Sequence, residues 1–255
     1  MKKILIAIFI LFALTLAVNN WQVLAGTAGV VGYRSSLNTG QGNPNVNNWR
    51  VSTGTPSWLN PNKYSYNYWQ STMGPKVPSG NNMPGGTTLG AGQNLNGMNA
   101  ASSINFYHVS GDLNIGTDQT LAAGNTNDLI ILVDRDLNIN ARIMRQDKGT
   151  FLGFIVGRNI NVASNVTGDP GIDGFFLADG RFSVPKVSVG YDTQLLANGM
   201  FIAFSGFDLQ RNLGNGLSLG NPVMPAEKFT FDPSLVINAP ADFLKASYSW
   251  KEIVP

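Results

Sequence analysis

The sequence predicts an all-β chain: a right-handed parallel β-helix, or solenoid, of about five coils of 22–25 residues, flanked by an irregular N-terminal module and an irregular C-terminal cap. Three observations carry this. The stretch Leu129–Ile139 recurs as Leu152–Val162, 23 residues later and with the same apolar spacing; a period in that range is the signature of stacked coils. Apolar and polar residues alternate in the second half of each copy, as on a strand with one buried face. Charged residues make up only 13% of the chain, about half the usual share. Handedness follows from the chirality of parallel connections.

Residues 1–25 read as a secretory signal peptide. Lys2 and Lys3 precede an apolar run from Ile4 to Val18, and Val23-Leu24-Ala25 offers a small-residue cleavage site before Gly26. That run spans 15 residues, short of the ~20 that a membrane-spanning helix needs. The expected location is therefore exported, at the cell surface or outside the cell. Membrane contact is expected only through the leader, if it stays uncleaved. Without the leader the basic and acidic residues balance at 15 each. No basic cluster suited to nucleic acid is present. Cysteine is absent, which excludes disulfides and thiolate metal sites.

Residues 26–105 form the N-terminal module. It is rich in Gly, Asn, Ser, Thr and Pro, and holds four basic residues and no acidic one. Runs such as Gly40–Asn45 and Pro84-Gly85-Gly86 punctuate loops. Yet Trp49, Trp58, Tyr64, Tyr66, Tyr68 and Trp69 lie inside it, too many aromatics for a disordered linker. The alternation Tyr64-Ser65-Tyr66-Asn67-Tyr68 predicts one short strand.

Residues 106–220 hold the coils. Asp112–Ile115 matches Asp136–Ile139, Phe176–Val184 aligns with Phe154–Val162, and Phe201–Leu209 follows, at shifts of 24, 22 and 25 residues. Leu137, Ile160, Phe182 and Phe207 fall in one column; Ile139, Val162, Val184 and Leu209 fall in another, two residues on. Both must point inward, so Asn114, Asn138, Asn161, Ser183 and Asp208 between them point outward. At a coil spacing of ~4.8 Å, asparagine over asparagine can hydrogen-bond side chain to side chain. Gly111, Asp134-Arg135, Gly157-Arg158 and Asp179-Gly180 supply corners. Residues 221–255 are broken by Pro222, Pro225, Pro233 and Pro240 but remain rich in apolar groups. They read as a cap over exposed apolar and edge groups of the stack.

Several segments resemble a known group. Asn138-Ile139-Asn140, Phe154-Ile155-Val156, Phe176–Gly180 and Gly199–Ile202 are similar to exported surface proteins of small-genome candidate-phylum bacteria. So are Pro225–Phe229, Asn238-Ala239-Pro240, the ending Trp250–Pro255, and Trp58-Leu59 followed by Tyr64–Tyr68. The resemblance spans most of residues 49–255 and is most specific in the C-terminal block. It implies export and a β-helical body, and no reaction. A more distant similarity links the coils to polymer-forming bactofilin-like proteins, which lack this leader and tail.

Candidate chemistry is sparse. Asp134–Asn140 looks like a calcium loop, but Ile139 and Arg145 stand where an EF-hand places Gly and Glu. The coil repeat explains its alternation. Asp169 and Asp173 could offer carboxylates to a hard cation, although a turn between coils accounts for them. His108 is the only histidine and has no metal partners in reach by sequence. No metal or cofactor is expected, and no nucleophile elbow, phosphate loop or dinucleotide fingerprint occurs. Asp134, Asp136, Asp179, Arg158 and Arg181 occupy neighbouring corner columns. They are the catalytic candidates if the chain cleaves polysaccharide, as paired carboxylates can. Each also sits where a turn favours a polar residue. Trp49, Trp58, Tyr64, Tyr66, Tyr68 and Trp69 would be the sugar-stacking platform of a binding module, or would pack the N-terminal module onto the coils.

The reading that follows is an exported, non-enzymatic structural or adhesive surface protein. The alternative is a carbohydrate-binding or carbohydrate-cleaving β-helix. Expected partners are a cell-envelope polysaccharide or surface protein, and a second copy through the coil ends.

Overall fold

A computed structural model describes residues 64–99, 104–122, 127–214, 225–241 and 243, together with the backbone of three N-terminal strands. Those strands are β1 (Gly29–Tyr33), β2 (Leu37–Asn38) and β3 (Trp49–Thr53). The leader, Trp58 and the side chain of Trp49 lie outside the described residues.

The chain is mostly β, wound as a parallel solenoid with about 24 residues between turns. Each coil gives one strand to a long sheet and a three-residue strand to a second sheet. In chain order the pairs are β4 (Asn82–Pro84) and β5 (Thr87–Leu89), then β6 (Ile104–Ser110) and β7 (Leu113–Ile115). After β8 (Gln119–Leu121) come β9 (Asp128–Val133) and β10 (Leu137–Ile139). After β11 (Ile143–Arg145) come β12 (Leu152–Val156) and β13 (Ile160–Val162). The last pairs are β14 (Ile172–Ala178) with β15 (Phe182–Val184), and β16 (Leu195–Ala203) with β17 (Phe207–Leu209). Strand β18 (Glu227–Phe231) follows. Every ladder pairing among the described residues is parallel, and the repeat read from the sequence is the register itself: Leu113, Leu137, Ile160, Phe182 and Phe207 are successive partners.

The two predicted inward columns are buried. In the long sheet, the rings of Phe154 and Phe176 stack at 5.2 Å and those of Phe176 and Phe201 at 5.3 Å. Burying a side chain of this kind fully is worth ~1.5–3 kcal/mol, and the spine repeats it from coil to coil.

The parallel ladders extend past the five recognised copies on both sides. At one end β5 pairs with β7, with Thr88 beside Asn114. At the other, β1 pairs with β16 and β2 with β17, so these N-terminal strands lie on the coil formed by β16 and β17. Strand β18 takes the other part of the β16 edge, pairing with Leu195–Gly199.

Two local expectations differ from the structure. Tyr64–Tyr68 does not form a strand; Tyr66–Met73 is helix α1. Tyr66, Trp69 and Met73 share its buried face, a helical spacing that five alternating residues cannot separate from a strand. Burial decides the outcome. The helix ends before the turn Gly74–Lys76, where Pro75 has no N–H to donate. The second difference concerns the long sheet, whose outer face is apolar. Ile130, Leu132, Ile155, Phe175 and Leu177 form a second core outside the solenoid. Helix α1 and the C-terminal segment, with Leu235 and Phe243, cover it. Parallel sheets buried on both faces read as continuous apolar runs, as Leu129–Val133 and Leu152–Val156 do.

Short helix α2 (Leu95–Met98) plugs the interior at the first coil, burying Leu95 and Met98 against Leu89 and Met83. Helix α3 (Ser234–Ile237) follows β18.

Candidate functional site

The second sheet presents a narrow polar face. Its inward residues are fixed by the core, so the middle residue of each three-residue strand faces out. On this face Asn138 Nδ2 donates to Asn114 Oδ1 at 3.0 Å, and Asn161 Nδ2 donates to Asn138 Oδ1 at 2.9 Å. Ser183 and Asp208 continue the column in register. An asparagine amide has two N–H donors and an oxygen with two lone pairs. The ladder uses one donor and one lone pair of Asn138, leaving one of each for a partner.

A second ladder runs along the adjacent corner. Asp112 Oδ1 accepts the backbone N–H of Asp136 at 3.1 Å. Asp136 Oδ1 accepts the backbone N–H of Asn159 at 2.9 Å and its Nδ2 at 3.0 Å. Asn159 Oδ1 accepts the backbone N–H of Arg181 at 2.9 Å. Each corner side chain thus satisfies an amide of the next coil. Arg158 Nε stands 3.9 Å from Asp136 Oδ1 and is half exposed, a pair worth ~0–1 kcal/mol. The Arg181 side chain is exposed.

Asp134 and Asp179 are employed differently: both hold α1. The Tyr66 hydroxyl donates to Asp134 Oδ1. His108 Nε2 lies 2.8 Å from the same oxygen, while His108 Nδ1 lies 3.2 Å from Asn82 Oδ1. Asp179 Oδ1 accepts the backbone N–H of Tyr66 at 2.8 Å. Burial pushes the Asp179 carboxyl above its ordinary value, opposed by that hydrogen bond. Burial, then the Asp134 carboxylate, pushes the Tyr66 phenol up. The five sequence candidates therefore divide. Asp136, Arg158 and Arg181 belong to the corner, whereas Asp134 and Asp179 face the helix.

The aromatic candidates divide as well. Tyr66 and Trp69 are buried, and Tyr64 and Tyr68 are half-buried. The Trp69 ring stacks on Phe243 at 4.5 Å and meets the Tyr68 ring edge-on at 5.1 Å. Trp69 Nε1 donates to Tyr64 O at 3.1 Å. Packed in this way, Tyr66 and Trp69 offer no open ring face to a sugar.

Sequence reasoning missed two buried charge clusters. In the first, Asp173 is not in a turn; it lies within β14 and is fully buried. Its Oδ1 accepts from Arg145 Nη2 at 2.8 Å and Nε at 3.0 Å. Arg145 Nη2 also donates to Asp232 Oδ2 at 2.6 Å, and Lys148 Nζ to Asp173 Oδ2 at 2.5 Å. Two cationic side chains occupy the place that a hard cation would need. Among the described residues no three His, Asp or Glu side chains converge on a metal position. In the second cluster, Arg211 is fully buried and donates to the carbonyls of Thr193, Ala163 and Val166, each at 2.9 Å. Its backbone N–H donates to Glu227 Oε1 at 2.7 Å. Burial pushes Glu227 up to about 7. One signal was available for the first cluster: a lone Asp within the apolar run Ile172–Ala178 requires a buried partner.

Compared with family models, curated proteins and solved structures, the chain matches none.

Proposed function

We propose that this chain is an exported, non-enzymatic structural or adhesive protein of the cell surface, presenting the amide-lined face of its solenoid to an envelope polysaccharide or to a surface protein. The Asn114–Asn138–Asn161 ladder carries the reading. It is a regular array of half-exposed donors and acceptors at coil spacing, held by a core that buries both apolar columns. Such an array matches a repeating polar polymer better than a single small ligand. The use of Asp134, Asp136 and Asp179 in joining coils and seating α1 supports it further.

The test is secretion and retention. The full chain, expressed in a bacterial host, is followed by N-terminal sequencing and by protease accessibility on intact cells. The mature protein is then incubated with insoluble cell-wall polysaccharide. Processing before Gly26, surface exposure and retention that weakens in Asn138→Ala are expected. An intracellular protein, or retention unaltered by substitutions along the ladder, would contradict the proposal.

A further inference from the structure

One polar row crosses three strands of the long sheet near the buried ion cluster. Asp173 on β14, Asn198 on β16 and Thr230 on β18 are successive register partners. With its amide turned to satisfy both hydrogen bonds, Asn198 donates to Thr230 O at 3.3 Å and accepts from Lys148 Nζ at 2.8 Å. The same Nζ lies 2.5 Å from Asp173 Oδ2 and 3.3 Å from Asp232 Oδ2. A primary amine, a carboxamide and a carboxylate with a fully buried side chain thus meet at hydrogen-bond distance. Lys148 reaches the row from the segment between β11 and β12, and its carbonyl accepts from Asn238 Nδ2 at 2.8 Å.

We propose that Lys148 and Asn198 form an intramolecular isopeptide cross-link, with Asp173 as the catalytic proton carrier. Asp173 takes a proton from the Lys148 ammonium, leaving a neutral amine. The Nζ lone pair attacks Asn198 Cγ and forms the new C–N bond. In the tetrahedral adduct the departing nitrogen has to turn from Thr230 O towards Asp173, the register partner of Asn198 on the other side; Asp173 then passes its proton to that nitrogen, takes the second proton from Nζ and delivers it likewise. The Cγ–Nδ2 bond breaks, and nitrogen leaves as ammonium. Asp173 ends as the carboxylate, and no oxidant or reductant is needed. The fold supplies the positioning that such a reaction requires: Asn198 is held in a strand and Asp173 is fixed by Arg145. Once Nζ is an amide nitrogen and ammonium has left, Arg145 remains as the one cation paired with both Asp173 and Asp232. The product would staple the segment after β11 to β16, across β14. In a chain without cysteine, that is a covalent staple open to an exported solenoid.

Intact-mass spectrometry of the purified full chain, as processed by its host, provides the test. The expected result is a mass below that of the unmodified chain by one ammonia, about 17 Da. Tryptic digestion is then expected to give one branched peptide joining Lys148 to Asn198, uncut after Lys148. Lys148→Arg retains the cation and is expected to show the unmodified mass, with a melting temperature lower by on the order of 5–10 °C. Asp173→Asn is expected to cross-link more slowly. A wild-type chain at its unmodified mass, with Lys148 and Asn198 on separate peptides, overturns the proposal. So does a loss of ammonia that persists in Lys148→Arg, because Asn198 precedes Gly199 and could cyclise onto that backbone instead.

Discussion

The side-chain amide of Asn161 donates to Oδ1 of Asn138 on the preceding coil at 2.9 Å, and Asn138 repeats the bond to Asn114. Two residues 23 positions apart in sequence are thereby neighbours by construction. Asn138→Ala removes both bonds from a half-exposed position. The expected cost is ~1–2 kcal/mol, seen as a fall of a few degrees in melting temperature, with the circular-dichroism spectrum unchanged.

Helix α1 is held to the sheet by its aromatic face and by two carboxylates. Trp69→Ala leaves a cavity beside Phe243 and is expected to cost ~3–5 kcal/mol. Tyr66→Phe removes only the hydroxyl bond to Asp134, at about 1 kcal/mol. Chemical denaturation of both variants checks the ranking. Equal losses would mean that the helix is not anchored through Trp69.

Arg145 holds two carboxylates whose side chains are almost fully buried. Arg145→Met leaves them short of a partner and is expected to destabilise the fold by ~3–5 kcal/mol. Adding Asp173→Leu to Arg145→Met is expected to recover a large part of that loss, since a buried pair exchanged for apolar groups is often neutral. A double-mutant cycle by denaturant titration gives the answer.

The pH dependence follows from three raised carboxyls, Glu227, Asp128 and Asp179. Burial pushes Glu227 up to about 7 from 4.5, and Asp128 up to about 6 from 3.8. A carboxyl whose folded value is raised contributes stability that is full below the unfolded value and is lost as pH rises through the folded one. Asp232 acts in the opposite sense. Burial pushes it up, but hydrogen bonds from Ser234 and the nearby Arg145 and Lys148 bring it below its ordinary value. Its contribution is lost on acidification below about pH 4. The melting temperature is therefore expected to peak near pH 4–5 and to decline towards pH 7.5. In Glu227→Gln the decline between pH 4.5 and 7 is expected to be shallower.

The coils were legible because a solenoid writes its register into its sequence. The columns Leu137–Ile160–Phe182–Phe207 and Asn114–Asn138–Asn161 needed only a period and the two-fold alternation of a strand. The outer face of the long sheet was harder. Ile130, Leu132, Ile155 and Phe175 look like parts of buried runs, but nothing local says that Trp69 and Phe243, far away in sequence, cover them. Tyr64–Tyr68 failed as a strand because its alternation also fits one turn of α1, and tertiary burial settled the matter. Strands β1 and β2 share no recognisable repeat copy, so their place on the coil formed by β16 and β17 could not be read from spacing. At the candidate site the corner positions of Asp134, Asp136 and Asp179 were legible. Their partners were not, because Tyr66 approaches from outside the repeat.

The most direct test of the proposal, that Asp136 joins coils and Asp134 and Asp179 seat α1 without catalysing, pairs two readouts on the same proteins. Melting temperature and soluble-sugar release from cell-wall polysaccharide are measured for the wild type, Asp134→Ala, Asp136→Ala and Asp179→Ala. The predicted result is a lowered melting temperature in every variant, by roughly 2–8 °C, with no sugar released by any of the four proteins. Sugar release by the wild type that disappears in a variant of unchanged melting temperature would contradict it.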